Sequence, residues 1–179
     1  MPSWPYPYSR YTDIPFPPYR FIPGTAPHPT EDPKGYSYGK KEEDVLWYPP
    51  EQWLHNQQYL YGVDLYNHAY WWEAHEAWEV LWRQPQAAYL TKEFLQGLIK
   101  IAAAFLKWQL KQQRGVEQLY NEGIEHLQTV LAQRDIDMGI NLMEFITQLS
   151  KHFTIVVADV AQWPDPLENY PHIVLQEKS

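Results

Sequence analysis

Twelve of the 16 prolines in this 179-residue chain fall within residues 1–50. Proline lacks a backbone N–H and holds its predecessor in extended conformations, so regular helix or sheet is excluded over most of that stretch. Such composition usually reads as disorder, but disordered segments are poor in aromatic residues. This one carries Trp4, Tyr6, Tyr8, Tyr11, Phe16, Tyr19, Phe21, Tyr36, Tyr38, Trp47 and Tyr48. Rings in that number bury area without secondary structure, so residues 1–49 read as an extended arm packed on the rest of the molecule. The first dozen residues are free to hang loose or to dock on a neighbouring subunit, which leaves a homo-oligomer open.

From Pro50 onward the pattern turns helical. The expected segments are 51–61, closed by Gly62; 64–82, stopped by Pro85; 91–113, with Thr91 as N-cap and Gly115 past its end; and 116–133. A fifth begins near 137 and runs toward the β-branched residues 154–157. In the third, Phe94, Leu98, Ile101, Phe105 and Trp108 recur at steps of three and four, the mark of a buried helix face. No strand-turn-strand pattern stands out. After Trp163-Pro164, residues 164–179 read as an extended, partly apolar tail. The fold class is all-α: one bundle of about five helices over residues 50–163, with a proline- and aromatic-rich arm before it and a tail after it.

Composition narrows the function. There is no cysteine, so disulfides, thiolate nucleophiles and cysteine-bound zinc are excluded. The net charge of -8 repels phosphate backbones, so nucleic acid is a poor partner. No run of 18 apolar residues and no secretory leader pattern is present, so the expectation is a cytoplasmic protein without a membrane partner.

The stretch YWWEAHEAWEVLWR, residues 70–83, sets four tryptophans around one histidine and three glutamates. His75 and Glu79 fall one helical turn apart on a face shared with Trp82. That face is expected to look into the bundle, where a carboxylate must be hydrogen-bonded, paired or bound to a cation. The zinc-protease pair of helical histidines fails here, because the second position is Glu79. The di-iron bundle fails too, since Glu-x-x-His occurs nowhere in the chain. Neither Ser37 nor Ser150 has a nucleophile-elbow context.

What survives is the spacing His-x-x-x-Glu-x-x-Trp. With LYNHAYWWEAHEAWEVLWR, EFLQGLIKIAAAFLKW and GVEQLYNEGIEHLQTVL, residues 65–132 resemble the bacterial and archaeal family called domain of unknown function 309. The arm segment PPYRFIPGTAPHPTEDPKGYSYG is similar to an extension on some members. The resemblance implies a helical, bundle-like fold. It implies a motif for which metal binding has been suggested, and no assigned activity.

The sequence therefore offers His75, Glu79, Trp82 and Gln96 as a ligand-binding or purely structural polar network, with the small-molecule ligand unknown. The alternative is a divalent-metal site on His75 and Glu79 in a hydrolase-like protein. There Glu76 or Glu79 would be the catalytic carboxylate, and a third ligand would come from His28 or His68, with His126 also in reach. His55, His152 and His172 read as surface or internally satisfied residues. Gly97 would let two helices approach closely.

Overall fold

The computed structural model describes residues 9–41 and 44–176, so Trp4, Tyr6 and Tyr8 lie outside the described residues. A 3-10 turn, Pro50–His55, leads from the arm into the bundle. The α-helices are α1 (Gln57–Asn67), α2 (Trp71–Trp82), α3 (Tyr89–Gln109), α4 (Gln113–Leu131) and α5 (Leu142–Phe153). Each packs on its chain neighbour, with α3 against α4 the most extensive pairing. Among the described residues no helix is long and apolar enough to cross a membrane.

Several boundaries differ from expectation for identifiable reasons. Asn56 caps α1 by accepting from the Tyr59 N–H at 3.0 Å, and the helix then runs straight through Gly62. That glycine is not a stop but a contact, since a Cβ there would overlap the Trp78 indole. The expected helix over 64–82 is two helices. Ala69 takes φ 60°, and the Tyr70 N–H returns to the Leu65 carbonyl at 2.8 Å, which ends α1 in the manner of a left-handed cap. Because the left-handed residue is not glycine, the sequence gives no sign of the break. Thr91 is buried inside α3, which starts at Tyr89 without a side-chain cap. Gly115 lies within α4, and Lys111, at φ 55°, makes the turn instead.

Two further corrections lie nearer the C-terminus. A short antiparallel ladder joins β1 (Ile136–Asp137) to β2 (Ile140–Asn141), so α5 begins at Leu142 rather than near 137. Residues Thr154–Val157 continue α5 only as a 3-10 turn. Gly97 behaves as expected. A Cβ at Gly97 would meet the Leu127 side chain at 2.7 Å and the Gly123 carbonyl at 3.2 Å, so α3 and α4 touch there through backbone.

Arm and tail are both fastened to the C-terminal end of α1. Asp64, 1% exposed, accepts from the Tyr11 N–H (2.7 Å), the Thr12 N–H (2.9 Å) and the Thr12 hydroxyl (2.8 Å), with Arg10 Nε at 3.6 Å. One turn on, the Asn67 side-chain amide pairs with Ile173 in both senses, donating to its carbonyl and accepting from its N–H, each at 2.8 Å. The Tyr66 hydroxyl donates to the Pro171 carbonyl at 2.8 Å. Arm and tail also meet directly, where the Leu175 N–H donates to the Tyr11 hydroxyl at 2.9 Å. An extended chain has no ladder partner for its N–H groups, so buried side chains of the bundle serve instead.

Candidate functional site

At 100° per residue the core stripe of α2 is Trp71, Ala74, Trp78 and Leu81, all buried. His75 and Glu79 stand roughly 80° and 120° from the centre of that stripe, and Glu73 lies about as far off on the opposite flank. The two flanks meet different fates. The arm covers Glu73, which is 5% exposed. Among the described residues nothing comparable covers the other flank, where the side chains of His75 and Glu79 are 29% and 25% exposed. The expectation that the His75–Glu79 pair sits inside the bundle is therefore corrected: it stands half-open at the edge of the core face.

The carboxylate that is buried in the aromatic run is Glu73. Its Oε1 accepts from the Phe21 N–H at 2.7 Å and from the Tyr36 hydroxyl at 3.0 Å. Phe21 and His28 pack edge-on against Trp72, with ring centroids 5.2 and 5.4 Å away, and complete this closure of the arm on α2. Burial pushes the Glu73 carboxyl up to about 7, against the opposing pull of the Phe21 and Tyr36 hydrogen bonds and of Arg20. A carboxyl raised in the folded state takes up a proton on folding between its unfolded and folded values. Stability should therefore fall as pH rises from about 4.5 to about 7. Glu73→Gln should flatten that part of a pH–stability curve measured by urea unfolding, and an unaltered slope would deny the assignment.

On the open flank His75 is bracketed by carboxylates. Its Nδ1 lies 3.2 Å from Glu76 Oε1 and its Nε2 lies 3.6 Å from Glu79 Oε2. Glu79 also takes Arg83 at 3.0 Å. Trp82 is half-buried at the same edge, with Lys92 Nζ 5.7 Å above its ring. Ligand atoms of His75, Glu76 and Glu79 lie within 4.8 Å of one another, and among the described residues this is the cluster able to converge on a cation.

The remaining sequence candidates stand elsewhere. Among the described residues no hydrogen bond joins Gln96, half-buried on α3, to this cluster. His28 accepts the Glu31 N–H on Nδ1 at 3.2 Å and packs its ring on Trp72, on the arm-covered side of α2. His68 belongs to the end of α1, with Nδ1 at 2.8 Å from the Asp64 carbonyl and its ring 4.8 Å from Phe16. His126 is held by Glu93 at 2.7 Å. The third member of the cluster is thus Glu76, not His28 or His68.

Residues 59–119 match the family model of DUF309, a domain of unknown function. Over this stretch the chain is similar to that family. The DUF309 match holds α2 and α3 complete, and with them His75, Glu76, Glu79, Trp82 and Gln96. The described arm, the β-ladder, α5 and the tail lie outside it. No curated protein matches the chain.

Proposed function

We propose that this chain is a cytoplasmic binding domain, and not a catalyst, with the open flank of α2 as its contact for a small ligand. One observation carries this reading. Glu76, His75, Glu79 and Arg83 hold one another at 3.0 to 3.6 Å while each remains a quarter or more exposed. Exposed ion pairs stabilise a fold by about 0–1 kcal/mol, so the core does not need them. Side chains fixed by mutual contacts yet open to solvent form a pre-organised polar surface. The acidic net charge argues against nucleic acid as the ligand.

A divalent cation is the second reading, favoured by the convergence of the three side chains within 4.8 Å. The donor set of one imidazole and two carboxylates suits zinc, manganese or iron(II). The ring geometry sets a limit. Glu76 and Glu79 face opposite ring nitrogens of His75. A cation on Nε2 and Glu79 leaves the Nδ1–H to Glu76, as carboxylates orient metal-bound imidazoles. That supplies two protein ligands where catalytic zinc typically has three. Glu76, engaged in this way, is no free base, which counts against the hydrolase alternative.

Two outcomes are expected. His75→Ala should cost less than about 1 kcal/mol by urea unfolding, whereas a loss of about 2 kcal/mol or more would make the cluster structural. If the cation reading holds, saturating zinc or manganese raises the melting temperature of the unmutated protein and not of Glu79→Gln. A melting curve indifferent to metal and to chelator would remove it.

A further inference from the structure

Away from α2, the helix α5 and the tail flank an open cavity of about 860 Å³. Its helical wall is a stripe of Glu144, Gln148 and Lys151 on α5, at steps of four and three, continued by Asn141 of β2 and Ile155 of the 3-10 turn. The tail runs along the other wall over residues 168–174. The size lies within the roughly 300–1,000 Å³ of small-molecule sites, which pair mostly apolar walls with a few polar groups.

The charges stand at the exposed rim: Glu144 and Glu168 against Lys151. Two acids and one base, all in solvent, give no strong field that would select an ion. The deeper lining is aromatic. It includes Tyr170, which packs 4.2 Å from the ring of His172, and His152, which packs 5.1 Å from the ring of Trp108. Burial pushes both histidines down to about 4, so both are uncharged at neutral pH. A neutral imidazole offers one donor and one acceptor, a match for a neutral polar edge and a poor match for an anion. Among the described residues no hydrogen bond uses the His152 ring; its Nε2 is shut from solvent, so Nδ1 is the ring nitrogen left to a ligand. The bonding capacity of that ring is unspent beside the cavity.

We propose that the cavity between α5 and the tail binds an uncharged, planar heteroaromatic molecule, its ring among the aromatic side chains and its polar edge toward His152. This site is independent of the α2 cluster. The test uses the isotope-labelled full chain, with adenine and nicotinamide as probes, followed by NMR. Saturable shift changes confined to α5 and the tail are expected with at least one probe, and unchanged in His75→Ala. His152→Phe keeps a ring and removes the nitrogens, and should weaken binding about tenfold. Val174 is 66% exposed, so Val174→Trp should leave the fold intact while filling the cavity, and should abolish binding. Absence of saturable changes with both probes would overturn the proposal. So would changes that persist undiminished in Val174→Trp, a variant that decides the matter even if His152→Phe misfolds.

Discussion

Trp78→Ala should lower stability by about 3 kcal/mol or more, read as a drop in the urea midpoint. The indole is fully buried, donates from Nε1 to the Tyr59 carbonyl at 3.3 Å, and packs with its ring centroid 6.1 Å from that of Tyr66. It also occupies the space that Gly62 leaves open on α1. Removing it therefore empties the α1–α2 contact from both sides. Leu98→Ala, at a site 1% exposed on α3, should cost about 3 kcal/mol by the same route. Unchanged midpoints for both would mean that the buried faces of α2 and α3 are wrongly placed.

Asp64→Ala should cost about 3 kcal/mol and also loosen the arm. Three arm donors converge on this carboxylate, and Thr12 is itself buried, so the substitution strands polar groups that water cannot easily reach. Limited proteolysis should then cut within residues 9–41 faster than in the unmutated chain. If cleavage is unchanged and the urea midpoint holds, the rings alone retain the arm and the carboxylate is incidental.

The parts of this architecture that follow from periodicity were legible in the sequence. The stripe Phe94–Leu98–Ile101–Phe105–Trp108 marks the buried face of α3, and all five residues are buried. Proline density and ring count together point to an extended arm that packs, and Phe21 and Thr12 are buried in it. What stayed hidden depends on tertiary partners. Gly62 reads as a terminator until Trp78 is seen against it. Ala69 gives no hint of its left-handed backbone. The wheel places His75 and Glu73 on opposite flanks of the α2 stripe, but only the path of the arm decides which flank is sealed. One signal pointed toward Asp64 and Glu73 all the same: an extended arm must find acceptors for its N–H groups, and buried carboxylates are the strongest on offer.

The ionisable residues of one aromatic helix divide their roles: Glu73 accepts hydrogen bonds from the arm, and Glu79 stands on the open flank proposed above to meet a ligand. The most direct test is urea unfolding of Glu73→Ala and Glu79→Ala side by side at about pH 6, below the folded-state value of about 7 for the Glu73 carboxyl. Glu73→Ala leaves the Phe21 N–H and the Tyr36 hydroxyl without their acceptor and should cost about 2 kcal/mol, whereas Glu79→Ala should cost under about 1 kcal/mol. The reverse order, with Glu79→Ala the more damaging change, would contradict the division.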